Sequence, residues 1–210
     1  MHSHVEQLQK EKLVAIIRGI AYEDGEKTAK ALLDGGISFL EITLNTEGAL
    51  KMIEKIKEKH GEEMVIGAGT VLNLQMAKDA VAAGSQYLVS PNLDEKVIDF
   101  GVSKGIDVWP GTLTPTEIVR AYETGATAVK VFPIGSFGVQ YLKDIRGPLN
   151  HIPMMVTGGI NLDNVNDFLN QGAFSVGLGG NLVNNKLIAE GNFSEITNKA
   201  KAYICKVKGE

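Results

Sequence analysis

The chain has 210 residues, 44% of them hydrophobic, enough to bury one sizeable core and leaving no tract suited to disorder. Its net charge of −4, with acidic and basic residues interspersed, argues against a nucleic-acid or membrane-surface partner. A single cysteine, Cys205, excludes a disulfide framework and points to a reducing, cytoplasmic setting; no apolar run approaches a membrane span.

Residues 1–10 read as an N-terminal leader without a signal-peptide apolar stretch. His2 and His4 are expected on a frayed, solvated terminus, and His60 and His151 stand apart from them without metal-ligand spacing, so neither a metal nor a cofactor is expected. From there, short β-rich runs alternate with amphipathic stretches. Strands are predicted at 13–18, 39–44, 64–70, 87–90, 107–110, 128–132, 154–157 and 174–178. Between the second and third, residues 48–59 read as a helix with Leu50, Ile53 and Ile56 on one side and lysines and glutamates on the other. Gly35-Gly36, Gly84, Gly105, Gly125 and Gly172 fall where helix C-caps belong, and Asp94 and Asn161 suit an N-cap or first turn.

Such alternation implies parallel strands joined by crossover helices. Eight units predict a single-domain α/β protein, a (β/α)8 TIM barrel spanning residues 1–210. The rival, an open doubly wound sheet, usually carries Gly-x-Gly-x-x-Gly after its first strand, where this chain has Arg18-Gly19-Ile20-Ala21.

One lysine, Lys130, interrupts the apolar run 128–132. Strand alternation puts it on one face with Ala128 and Phe132. Low dielectric favours the uncharged form of an amine, and a free amine attacks a carbonyl to form a Schiff base. A strand-end lysine that reaches solvent or pairs across the barrel is the plain alternative. Polar residues gather at the C-terminal strand ends, where barrels of this kind build their sites: Arg18, Glu41, Thr43, Asn45, Thr70, Ser90, Thr112, Thr114, Lys130 and Thr157. Glu41, a carboxylate inside a strand, suits the proton transfers of imine chemistry. Arg18 offers a fork for a substrate carboxylate, and Thr70 a hydroxyl at the end of Gly67-Ala68-Gly69, whose glycines are expected to let a ligand approach the backbone. Gly158-Gly159 and Gly179-Gly180-Asn181 follow the last two strands, a recurrent phosphate position that uses backbone N–H groups and a helix N-terminus.

In order, Ala15-Ile16-Ile17-Arg18, Glu41-Ile42-Thr43-Leu44, Gly67-Ala68-Gly69-Thr70-Val71, Ser90-Pro91, Pro110-Gly111, Lys130-Val131-Phe132-Pro133 and Thr157-Gly158-Gly159 form a specific set. Through them the chain resembles, nearly end to end, the class I 2-keto-3-deoxy-6-phosphogluconate/4-hydroxy-2-oxoglutarate (KDPG/KHG) aldolase family. The resemblance implies a pyruvate-forming, Schiff-base retro-aldol reaction without metal in a homotrimer, acting on a small keto acid. It makes Lys130 the Schiff-base residue, Glu41 the general acid/base, Thr70 a carboxylate ligand, and Gly158, Gly159, Gly180 and Asn181 the phosphate turns; Arg18, Asn45 and Phe132 complete the expected substrate contacts. Many members have arginine where this chain has Asn45, which leaves Arg18 as the nearby candidate for the carboxylate, and serine where it has Asn181. The implied substrates are 2-dehydro-3-deoxy-6-phosphogluconate, 4-hydroxy-2-oxoglutarate, or both. Glu41-Ile42-Thr43-Leu44-Asn45-Thr46 and Phe137-Gly138-Val139-Gln140-Tyr141 also look like 2-dehydro-3-deoxy-6-phosphogalactonate aldolases. A phosphate-binding isomerase of the same architecture, or a sugar-phosphate sensor without activity, is the alternative of another class.

Overall fold

Short apolar strands, each followed by an amphipathic helix, wind into a parallel barrel in the computed structural model, which describes residues 4–209. The strands are β1 (Leu13–Ile17), β2 (Phe39–Thr43), β3 (Val65–Gly69), β4 (Tyr87–Val89), β5 (Asp107–Trp109), β6 (Gly111–Thr112), β7 (Val129–Val131), β8 (Met154–Thr157) and β9 (Ser175–Leu178). All pairings are parallel, in the order β5-β4-β3-β2-β1-β9-β8-β7-β6. The helices are α1 (His4–Glu11), α2 (Tyr22–Asp34), α3 (Ala49–His60), α4 (Leu74–Ala82), α5 (Glu95–Lys104), α6 (Pro115–Glu123), α7 (Gly138–Arg146), α8 (Val165–Asn170), α9 (Asn185–Ala189) and α10 (Phe193–Lys208). None is long and apolar enough to cross a membrane.

Seven of the eight predicted strands appear as single strands, trimmed by a residue or so at an end or matched in full. The predicted strand 107–110 is instead split at Pro110. Proline has no N–H for the ladder, so Asp107–Trp109 pairs with β4 while Gly111–Thr112 pairs with β7. The Pro110 carbonyl still accepts from the Lys130 N–H at 2.9 Å, which carries the barrel across the break. Gly111 is needed there, because a Cβ would lie 2.2 Å from the Pro91 backbone.

Alternation separates two cores. Val129 and Val131 join Ile17, Leu40, Ile42 and Val156 under the helices, with Met52, Ile53 and Ile56 of α3 among their neighbours. Ala128 faces the barrel interior with Val14, Phe39, Tyr87, Trp109 and Met155. The predicted helix caps form: Gly36, Gly84, Gly105, Gly125 and Gly172 all have positive φ, and the Asp94 side chain accepts from Lys96 N–H. Asn161 caps the turn ahead of α8, accepting from Asp163 and Asn164.

The leader differs from expectation. Helix α1 buries Leu8 completely in the interior cluster, closing the barrel end opposite the site. His4 is not on a frayed terminus: its N–H donates to Asp107 at 2.8 Å and its ring lies 3.2 Å from the same carboxylate oxygen. His2 lies outside the described residues.

Candidate active site

Strand alternation turns Lys130 and Glu41 inward. Both are buried, and Nζ lies 3.7 Å from Glu41 Oε1, close enough to pair electrostatically and too far for a hydrogen bond. Neither Glu41 oxygen has a hydrogen-bond partner among the described residues. A buried carboxylate so lightly held is an arrangement that folding alone disfavours. Phe132 lies one pleat beyond Lys130, its ring centroid 5.4 Å from Nζ. Thr157 also faces the interior, with its buried hydroxyl unpartnered.

The glycines of β3 do something other than expected. A Cβ on Gly69 would lie 2.0 Å from Glu41 Oε1, and one on Gly67 would lie 2.4 Å from the Tyr87 ring. Their missing side chains make room for the protein's own residues, not for ligand contact with the backbone. Burial first, and then the Glu41 charge, push the Tyr87 phenol well above its ordinary value.

Thr70 follows immediately and has φ +58°, a strained conformation for a β-branched residue. It is pinned on both sides: Gly69 accepts from Leu44 N–H at 2.8 Å, and Val71 N–H donates to Val89 at 3.1 Å. Thr43 and Thr46 share a hydroxyl contact of 3.1 Å, and Thr46 accepts from Gly19 N–H, tying the end of β2 to the residue after Arg18. Asn45 itself is exposed in that loop.

Arg18 is exposed at the end of β1. It lines a cavity of about 410 Å³ with Ile16, Gly179, Gly180, Asn185 and Lys186. This puts Arg18 beside the glycine turn that follows β9, while Lys186 lines the same cavity with its ammonium 3.9 Å from Glu190. Lys186 went unnoticed in the sequence; its signal was a lysine five residues beyond Asn181, in what the structure shows to be the first turn of α9. Gly158 and Gly159 have φ of +97° and +76° and pack on Gly135, another glycine not singled out, where a Cβ would come within 2.7 Å of Gly158 O. The N–H groups of Gly159, Gly180 and Asn181 donate to nothing in the hydrogen-bond network of the described residues.

The N-terminus of α9, expected to aid a phosphate, is otherwise engaged. Helix α9 has five residues, and Asn184 accepts from its Lys186 and Leu187 N–H groups. The Asn181 amide donates to Ile160 O at 2.6 Å, tying the two glycine loops together. Other strand-end polar residues are also structural. Ser90 donates to Asn92 O, and Thr114 caps α6 in a reciprocal box with Glu117; Tyr141, within α7, anchors that helix by donating to Leu113 O.

A parallel barrel with an inward amine beside a carboxylate has the parts of a class I, imine-forming aldolase. Residues 5–199 match the family described as KDPG and KHG aldolase. A 2-dehydro-3-deoxy-6-phosphogalactonate aldolase of Escherichia coli (strain K12) is 36% identical over 171 residues, covering 81% of this chain and 83% of that one. A 2-dehydro-3-deoxy-phosphogluconate aldolase of Treponema pallidum (strain Nichols) is 32% identical over 91% of each chain. The structure of KDPG aldolase from Legionella pneumophila, with pyruvate captured at low pH as a covalent carbinolamine intermediate, matches at TM-score 0.90 and 30% identity over 96% of this chain and 98% of that one.

The chain belongs to the KDPG and KHG aldolase family. It is a class I aldolase, a lyase.

Proposed function

We propose that the protein cleaves a 2-keto-3-deoxy-6-phospho sugar acid to pyruvate and glyceraldehyde 3-phosphate, with Lys130 as the Schiff-base residue and Glu41 as the proton carrier. The observation that carries this reading is the buried pair of Lys130 Nζ and Glu41 Oε1, 3.7 Å apart in the barrel interior. Nζ attacks the C2 carbonyl to give a carbinolamine. Loss of water leaves an iminium, which draws electrons from C3. Glu41 takes the C4 hydroxyl proton as the C3–C4 bond breaks, and the aldehyde departs. The enamine is then protonated at C3 by Glu41, and water hydrolyses the imine to release pyruvate and the lysine. The carbinolamine captured in the Legionella pneumophila relative is the adduct this scheme begins with.

Thr70, held in a strained backbone conformation at the end of β3, holds the substrate carboxylate, with Asn45 and Phe132 completing that end of the pocket. The free N–H groups of Gly159, Gly180 and Asn181, with Gly158 shaping the turn, hold the phosphate; Arg18 and Lys186 add charge there. Arg18 is thereby assigned to the phosphate end in preference to the carboxylate. The 6-phosphogluconate-derived acid is the first reading, with 4-hydroxy-2-oxoglutarate, which yields pyruvate and glyoxylate, as a further substrate. The galactonate epimer is the second reading, favoured by the 36% identity to the Escherichia coli enzyme for that epimer. The proposal includes a homotrimer in the cytoplasm.

Borohydride trapping with pyruvate, read by mass spectrometry, should place a reduced adduct on Lys130, and kcat/KM across the two epimers and 4-hydroxy-2-oxoglutarate should rank the phosphorylated acids first. An adduct on another residue, or none, removes the assignment. A sedimentation mass other than three chains removes the trimer.

A further inference from the structure

The row Glu41, Gly67, Tyr87 runs in register across β2, β3 and β4. Gly67 has no side chain, and the Tyr87 ring lies over it: a Cβ there would meet ring carbons Cε2 and Cζ at 2.4 Å. One pleat towards the mouth, the Glu41 carboxylate lies over Gly69 in the same way. Both polar groups therefore occupy the strip above one strand. Both lie along one strand in neighbouring register, and a single water joins oxygens up to about 5.6 Å apart through two hydrogen bonds of about 2.8 Å each. The ring is held by stacking on Trp109 at 4.3 Å and by Phe39 at 6.1 Å.

The Tyr87 hydroxyl is wholly buried and has no partner among the described residues, like both oxygens of Glu41. Phenylalanine would fill the same space without that penalty. A donor and an acceptor left unpaired side by side in a packed interior call for each other. Stabilisation of the neutral phenol by burial and by the Glu41 charge keeps the hydroxyl proton available for donation.

We infer that Tyr87 is a positioning residue: through one buried water its hydroxyl donates to the Glu41 carboxylate and holds it oriented towards Lys130. The inference rests on Glu41 being the proton carrier. The charged groups around the pair are Lys130 on β7, and Asp107 on β5, which is in register with Tyr87 and bonded to His4 of α1.

The test compares the full-length parent, Tyr87→Phe, Glu41→Gln and the double variant by kcat and KM over about pH 5 to 9, with thermal midpoints as the check on folding. Tyr87→Phe should lower kcat about tenfold with KM within about twofold, because the lost donor positions a group that acts in the chemical step. In the Glu41→Gln background the same change should cost nothing further. A Tyr87→Phe profile superimposable on the parent's, or an equal loss in both backgrounds, overturns the inference and leaves the role of Glu41 standing. A Glu41→Gln variant as fast as the parent overturns both.

Discussion

Gly69→Ala places a single methyl group against the carboxylate proposed to move every proton. The added Cβ would lie 2.0 Å from Glu41 Oε1, against a closest real contact of 3.0 Å, so the carboxylate must retreat by about 1 Å. The backbone need not move, because Gly69 is an ordinary strand residue without positive φ. Displacing a catalytic group by about 1 Å costs on the order of 10²-fold in rate. Overpacking should cost about 1–3 kcal/mol in stability, a fall in Tm of roughly 2–12 °C for a chain of this size.

Pyruvate release coupled to lactate dehydrogenase gives kcat and KM, and borohydride trapping reports the adduct separately. The expected result is a kcat lowered about a hundredfold with a trappable adduct still formed. Gly67→Ala is the contrast: its Cβ meets the stacked Tyr87 ring, which cannot swing aside as a carboxylate can, so its larger effect should be on Tm. A Gly69→Ala enzyme with the parent's kcat would refute the reasoning, because Glu41 could then work from a position it does not occupy.

Lys130→Arg should retain the barrel and lose all turnover and all borohydride-trappable adduct, since a guanidinium stays protonated and forms no imine; near-normal cleavage counts against the scheme. A phosphorylated six-carbon acid should be preferred over its unphosphorylated counterpart by at least about tenfold in kcat/KM, because each hydrogen bond to a charged group is worth roughly 1.5–3 kcal/mol. Gly159→Asp should erase that preference, and equal kcat/KM for the two substrates in the parent would show that the glycine loops are only turns. Thr114→Ala should cost about 1 kcal/mol at neutral pH by opening the α6 capping box, as read by urea midpoints. The N–H groups of Thr114 and Leu113 hold the Glu117 carboxyl below its usual 4.5, so its stabilisation is complete above that value and is lost as pH falls through the lower folded one; acid titration of the parent against Glu117→Gln checks the sign.

The barrel was legible because parallel strands covered by helices are apolar on both faces and interrupted by caps, and those caps appear as glycines. Lys130 and Glu41 were legible for the complementary reason: a charge inside such a strand has no ordinary place. Most of what escaped depends on contacts distant in the chain. Pro110 signals a break in the ladder, but Asp107-Val108-Trp109-Pro110 does not reveal that the residues after it pair with β7. Gly67 and Gly69 look like room for a ligand until Tyr87 and Glu41 are found filling it. The Asn184 side chain that takes up the N–H groups at the start of α9 follows from a cap signature that the glycine turn overshadowed.

The Lys130–Glu41 pair also follows from topology in a way that spacing along the chain conceals. Counting β5 and β6 as one interrupted strand, β7 is the sixth of eight and β2 the second, so they stand opposite each other in the closed barrel. An eight-stranded barrel leaves an interior just wide enough for side chains to fill. Residues that meet across it must come from both walls and be long, and lysine and glutamate are. Replacing Glu41 by Asp withdraws the carboxylate by one methylene, about 1.3 Å, and opens the 3.7 Å separation beyond pairing distance. The same geometry explains why β3 presents glycine twice on its inner face. The strand beside the carboxylate has to be bare for Glu41 to lie along it and still reach the far wall.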